Sequence, residues 1–239
     1  MTVEARELID SLRVYLEELQ ESGVDALPLA IKGSDLDNSV ATDVTDAIGA
    51  VETLEEIRTE LGECGRCELG QTRTNLVFGV GNPHARLVFV GEAPGRDEDL
   101  QGEPFVGEAG KLLTRIIQAM GFERSEVYIC NVLKCRPPGN RDPLPSEVEA
   151  CSSFMLRQIK AIKPEVIVAL GKFASQTLLQ TKEIISRLRG NFHDYHDIPL
   201  MPTFHPSALL RDPAKKREVW EDMQQVMKLL GKEAPQNKR

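Results

Sequence analysis

No stretch of the 239-residue sequence approaches the ~18 consecutive apolar residues of a membrane span. The first ten residues, Met1 to Asp10, are acidic overall and lack the basic start and apolar core of an export signal. Insertion and export are therefore not expected, and a cytoplasmic location is. No G-x-x-x-x-G-K-[ST] loop occurs, and GEAPG (Gly91–Gly95) is too short for a dinucleotide fingerprint, so a nucleoside-triphosphate enzyme has no support. The cysteines number five, an odd count that argues against a disulfide framework in a cytosolic chain. Internal repeats are absent. Aromatics are scarce at 5%, yet with 41% hydrophobic residues the chain is too apolar to be wholly disordered.

Charge is unevenly spread. Residues 1–60 carry 15 acidic and 4 basic side chains, a net of −11, whereas residues 61–239 carry 22 acidic and 25 basic ones, a net of +3. The total of −8 thus hides a larger segment whose balance permits a polyanionic partner without demanding one. Leu8, Leu12, Leu16 and Leu19 form one apolar stripe on a helix expected over Thr2–Ser22. An acidic linker rich in Asp, Ser, Thr, Gly and Ala follows, to about Ala50. These features divide the chain into an extension, residues 1–52, and a main domain, residues 53–239. The stripe is either an appended surface helix or a docking element for a protein partner.

Four β-rich runs stand out beyond that boundary: Arg86–Gly91, Val127–Val132, Glu165–Leu170 and Leu200–Phe204. Helical patterns lie between and after them, at Glu108–Met120, Ser146–Ile162, Lys172–Leu179 and Ala214–Leu230. Nearly continuous apolar strands alternating with helices predict an α/β fold, a three-layer α/β/α sandwich around a central four-stranded parallel sheet. Ligands of such sheets bind beyond the carboxyl ends of the strands. The segments expected there are GEAPG, NVLKCRPP from Asn131, GKFA from Gly171 and HPSALLR from His205.

Cys64 and Cys67 form a C-x2-C pair in a Gly-containing turn, Cys135 follows the second strand, and Cys151 lies near the start of a helix. Four such thiolates suit tetrahedral zinc or a [4Fe–4S] cluster, and spacing alone favours zinc or redox chemistry. Cys130, inside VYICNV, reads as a small buried core residue.

GEAPG with its acidic continuation, FVGEAGKLL, NVLKCRPPGNRDP and HPSALLR, together with the four cysteines, resemble the family 4 uracil-DNA glycosylases, in the family's order. The resemblance covers about Leu61–Leu230. It implies a [4Fe–4S] cluster on Cys64, Cys67, Cys135 and Cys151, overturning the preference for zinc. It implies a uracil pocket lined by Glu92, Ala93 and Gly95, with Glu98 beside it. Phe105 matches the aromatic on which uracil stacks, Asn131 the amide that reads the base edge, Asn140 a further site position and His205 the histidine of the second motif. The implied activity is excision of uracil from DNA by a monomer, releasing the free base and leaving an abasic site.

The chemistry suits those residue types. Uracil must leave the stack to be reached. An Asn amide offers both an acceptor for N3–H and a donor for O4, the reverse of what cytosine requires. Bond cleavage leaves negative charge on uracil O2, which a His205 N–H stabilises more in the transition state than in the ground state. The superfamily's best-known branch has an aspartate where this chain has Ala93. Water is therefore expected to be held by backbone or Asn131, with Glu98 a further candidate. The HPSALLR loop supplies Leu209 or Leu210 as a wedge, and Ser207 and Arg211, with Lys215, Lys216 and Arg217 beyond it, are expected phosphate contacts. Two alternatives are a non-catalytic iron–sulfur DNA-binding protein and the covalently trapping branch. The latter carries a histidine in an inserted basic segment, and PPGNRDPLP contains none.

Overall fold

The computed structural model describes residues 52–232. The expected extension, with its leucine stripe and linker, lies outside the described residues apart from Glu52. The chain enters through α1 (Leu54–Leu61), whose start is closed by a capping box: Glu56 N–H donates to Thr53 Oγ1, and Glu56 Oε2 accepts from Thr53 N–H at 2.7 Å. A short α2 (Leu69–Thr72) follows the C-x2-C turn.

The sheet has six strands: β1 (Val80–Gly81), β2 (Leu87–Gly91), β3 (Tyr128–Asn131), β4 (Val166–Leu170), β5 (His193–Tyr195) and β6 (Ile198–Thr203), in the spatial order β1-β3-β2-β4-β6-β5. The inner four are the parallel strands expected from the apolar runs. The outer two pair antiparallel and were not expected. At two and three residues, Val-Gly and His-Asp-Tyr, they are too short to carry an alternating pattern.

Strand residues alternate between two cores. Leu87, Phe89, Val166 and Val168 face one side, against Leu113 and Ile117 of α4 (Glu108–Ala119) and Met223 and Val226 of α9 (Lys215–Leu229). Val88, Val90, Ile167 and Ala169 face the other, against Met155 and Ile159 of α5 (Pro145–Ile162) and Ala174 and Leu178 of α6 (Gly171–Leu179). Both faces are covered, which is why these strands read as unbroken apolar runs. Cys130 lies in the second core.

Three shorter α-helices, α3 (Arg96–Gln101), α7 (Ile185–Leu188) and α8 (Pro206–Arg211), and a 3-10 turn at Pro138–Asn140 complete the described fold, with α8 the last of them in the chain. The last corrects the reading of HPSALLR as a loop. His205 caps it and Pro206 occupies the first helical turn, where a missing N–H costs nothing. Register places Gly91 beside Asn131, and Leu170 beside Thr203, so the carboxyl ends of the four parallel strands form one rim. No described helix is long and apolar enough to cross a membrane.

Candidate active site

A cavity of about 380 Å³ opens on that rim. Glu92, Ala93, Gly95 and Glu98 reach it from the segment after β2, and Asn131 and Asn140 from β3 and the loop beyond. Phe105, His205 and Ser207 close it. Nine of the residues expected at a site therefore meet in one place, although 115 positions separate the first from the last. A larger cavity, about 580 Å³, lies where β4 and β6 begin, at the opposite end of the sheet from these segments.

Asn131 ends β3 and is 2% exposed, and its Oδ1 has no hydrogen-bond partner. A buried acceptor left unpaired costs about 1–3 kcal/mol, so a ligand donor reaching it recovers that penalty. Gly91 makes the space. A Cβ there would stand 2.3 Å from Asn131 Oδ1 and 2.6 Å from Phe105 Cζ. Phe105 is buried, and its ring centre lies 5.5 Å from that of His205 at an interplanar angle of 34°.

His205 is the N-cap of α8. Its Nδ1 accepts the Ser207 N–H at 3.2 Å and lies 2.8 Å from Ser207 Oγ. An Nδ1 that accepts carries no proton, so the neutral ring carries its proton on Nε2. Burial, reinforced by the nearby Arg211 charge and opposed by Glu98, pushes the imidazole pKa down to about 4. The helix N-terminus also disfavours an imidazolium. The site thus holds a neutral N–H donor at neutral pH. Burial raises the Glu92 carboxyl above its ordinary range, with Asp142 adding to the effect and Lys172 opposing it.

Glu98 is tied to the backbone on both sides of the pocket. Its Oε1 accepts the N–H groups of Val106 at 2.9 Å and Gly107 at 3.0 Å, and its Oε2 accepts that of Gly95 at 3.1 Å. Three backbone donors occupy the carboxylate, which ties the GEAPG turn to the loop carrying Phe105. Asn140 accepts from Arg136 Nε at 2.7 Å through its Oδ1, in a loop where its own φ is +55°. Leu209 is 1% exposed and packs in the core, which removes it as a wedge, whereas Leu210 beside it is 45% exposed. Arg211 lies in a second cavity that shares Glu92, Ala93, His205 and Ser207 with the first. This second cavity continues between Lys215, which was expected beside Arg211, and Lys172, a cation that sequence reasoning did not place at the site. Lys172 stood in a post-strand segment, the one signal that could have found it.

The cysteines converge behind the GEAPG turn. Cys135 and Cys151 are buried together with Leu69 and Leu133, and Cys67 and Ala93 pack against them. Cys64 is close enough to Cys151 for its charge to disfavour that thiolate, as Cys67 is for both Cys135 and Cys151. All three of the sulfurs on Cys64, Cys135 and Cys151 receive N–H donors, from Arg66 at 3.4 Å, Arg73 at 3.4 Å and the Lys134 backbone at 3.3 Å. Such donors stabilise thiolates bound to iron. Among the described residues no three His, Cys, Asp or Glu close on one point as a single ion requires. The four thiols of Cys64, Cys67, Cys135 and Cys151 are free, a donor set of the kind that holds a [4Fe–4S] cluster or a tetrahedral zinc.

Comparison with known proteins adds to this geometry. Residues 78–224 match the uracil DNA glycosylase superfamily. The chain is 47% identical over 193 residues to the type-4 uracil-DNA glycosylase of Archaeoglobus fulgidus, covering 77% of this chain and 97% of that protein. It is 46% identical over 186 residues to the Thermotoga maritima type-4 uracil-DNA glycosylase, covering 76% and 97%. Against that of Saccharolobus solfataricus, identity is 41% over 189 residues, covering 75% and 88%.

Proposed function

Because the chain belongs to the uracil-DNA glycosylase superfamily, in its type-4 branch, and is a DNA repair glycosylase that excises uracil, we propose that the cavity on the strand rim is its uracil pocket. One observation carries the assignment: the buried, unpaired Asn131 Oδ1 facing a cavity shared with Phe105 and a neutral His205. The extruded base stacks on Phe105. Its N3–H donates to Asn131 Oδ1, and its O4 accepts from the same amide. Cytosine has no N3–H and leaves the acceptor unpaired, which is a strong basis for rejection.

His205 Nε2–H donates to uracil O2, where negative charge gathers as the N-glycosidic bond breaks and its electron pair leaves with the base. Water then adds to C1′ of the sugar cation and loses its proton. The uracil anion takes up a proton on release. Glu98 clamps the two pocket loops through three backbone N–H groups, which leaves its carboxylate one acceptor position for that water. The chain between Pro137 and Arg141 lines the pocket with Asn140 and Arg141 and brings no histidine, which favours turnover over a covalent trap.

The DNA strand runs along the second cavity, where Lys172, Arg211 and Lys215 meet phosphates and Leu210 fills the place of the flipped base. Cys64, Cys67, Cys135 and Cys151 hold a [4Fe–4S] cluster. When bound, it supplies four iron–thiolate bonds that cross-link the 64–67 turn, the post-β3 loop and α5. This chain's own part is to keep Ala93 and the GEAPG turn packed on that cross-linked layer.

The test is release of free uracil, and of alkali-labile sites, from uracil-containing single- and double-stranded oligonucleotides by anaerobically purified protein. Asn131→Leu protein that still folds and still excises uracil at the wild-type rate would overturn the pocket assignment.

A further inference from the structure

We propose that Arg124 is a positioning residue for base recognition: it holds the backbone on either side of Phe105 so that the ring stays in place as the stacking platform. The inference rests on the reading of Phe105 as that platform.

Phe105 has φ +54°, a left-handed backbone that a bulky side chain adopts only where its surroundings enforce it. Arg124 stands 19 residues further on, in the turn between α4 and β3. One arm of its guanidinium, Nη2, donates to the carbonyl of Pro104 at 2.6 Å, immediately before the platform. The other, Nη1, donates to Thr114 Oγ1 at 3.3 Å, and Thr114 Oγ1 donates to the Gly110 carbonyl at 3.1 Å. Gly110 closes the circuit. A Cβ there would fall 1.9 Å from the Phe105 carbonyl oxygen, so the first turn of α4 and the platform backbone are in direct contact.

Arg124 therefore ties the entry of the platform to α4, while Glu98 ties its exit through Val106 and Gly107. The planar fork serves two acceptors on two segments at once, which an ammonium on a flexible stem does poorly. Its hydrogen bonds go to a carbonyl and a hydroxyl rather than to a carboxylate, so its place in the structure is explained by what it holds. Without it, the Pro104 carbonyl loses its charged donor and Phe105 is free to relax toward negative φ, taking the ring off the pocket wall.

Stacking acts alike on the bound base and on the transition state. Its loss is a loss of uniform binding, which raises KM and leaves kcat nearly unchanged. General destabilisation does the reverse, since fewer active molecules lower apparent kcat at constant KM. The experiment uses iron-replete enzyme and measures KM and kcat on a single-stranded uracil oligonucleotide, with Ki for free uracil, in wild-type and Phe105→Ala backgrounds. Arg124→Met raises KM and Ki about ten-fold, in the range of one lost base–aromatic stack. It changes kcat less than about two-fold, and Arg124→Lys recovers part of the loss. In the Phe105→Ala background Arg124→Met adds nothing.

Unchanged KM and Ki in Arg124→Met, or the same rise in both backgrounds, overturns the proposal. If Phe105→Ala itself leaves KM and Ki unchanged, the platform reading is what fails. If Arg124→Met does not accumulate as folded, iron-loaded protein, Arg124→Lys and Thr114→Val decide, each expected to raise KM and Ki in the same direction by a smaller factor.

Discussion

The charge state of His205 gives the sharpest test of the mechanism. With its pKa pushed down to about 4, the ring is neutral across the range in which most histidines titrate. At pH 5 about nine-tenths of such rings are neutral, against about 3% for an ordinary histidine of pKa ~6.5, a difference of about thirty-fold. The sign follows from the roles. Only the neutral tautomer can accept the Ser207 N–H at Nδ1 while donating from Nε2. Activity is therefore present above the folded pKa and is lost as pH falls through about 4. The profile of kcat/KM on a single-stranded oligonucleotide, with iron content checked at each pH, should be flat from pH 8 to about 5. His205→Asn supplies the second arm. Asn is a favoured helix N-cap, so α8 keeps its start, but its shorter amide places no N–H where Nε2 stood. Loss of one such donor costs about 2.7–4 kcal/mol, or 100–1,000-fold in kcat, with KM little changed. Two results refute the reasoning: activity that climbs as pH drops from 8 to 5.5, as for a cationic electrophile of ordinary pKa, or a His205→Asn enzyme within ten-fold of wild type.

Three further outcomes are expected. Gly91→Ala puts a methyl 2.3 Å from Asn131 Oδ1 and 2.6 Å from Phe105 Cζ. It should abolish inhibition by free uracil and lower stability by about 1–3 kcal/mol, read by uracil competition and by thermal unfolding. Leu210→Ala, which changes an exposed side chain outside the base pocket, should lower excision from duplex DNA about ten-fold while Ki for free uracil stays constant. Equal loss on both readouts would place Leu210 in the pocket instead. Cys151→Ser should cost the anaerobic protein its iron and the broad absorption near ~400 nm expected of a thiolate-bound cluster. One zinc and no iron in wild-type material contradicts the cluster assignment.

How much of this was legible beforehand depends on the range of the interaction concerned. The four parallel strands could be read because each is buried on both faces, and hydrophobicity alone then marks the segment, as in Leu87–Gly91 and Val166–Leu170. The four longer helices, Glu108–Ala119, Pro145–Ile162, Gly171–Leu179 and Lys215–Leu229, were found to within a residue or two for the same local reason, whereas the short Arg96–Gln101 and Ile185–Leu188 were not. Parallel strands also oblige their carboxyl ends to share a rim, so the post-strand segments are neighbours by topology alone. The edge strands Val80–Gly81 and His193–Tyr195 were invisible because pairing defines them, not composition.

Side-chain roles divided in the same way. Residue types that carry chemistry, such as Asn131, Phe105, His205 and the four cysteines, are marked by their motifs. The state in which each works is set by atoms far along the chain. Glu98 gave no sign that it clamps Val106 and Gly107 to the GEAPG turn, and Leu209 looked as available as Leu210 until the core closed over it. Gly91 was marked only as the start of GEAPG, and Arg124 drew no notice, since the space one leaves and the carbonyl the other reaches exist only after folding. Sequence alone therefore determined the four parallel strands, their rim and the kinds of group gathered there, because local patterns of apolar burial and the motifs encode them. Tertiary structure alone decided which of those groups are buried, neutral, engaged or exposed, because desolvation and hydrogen bonding depend on neighbours that the linear order does not name.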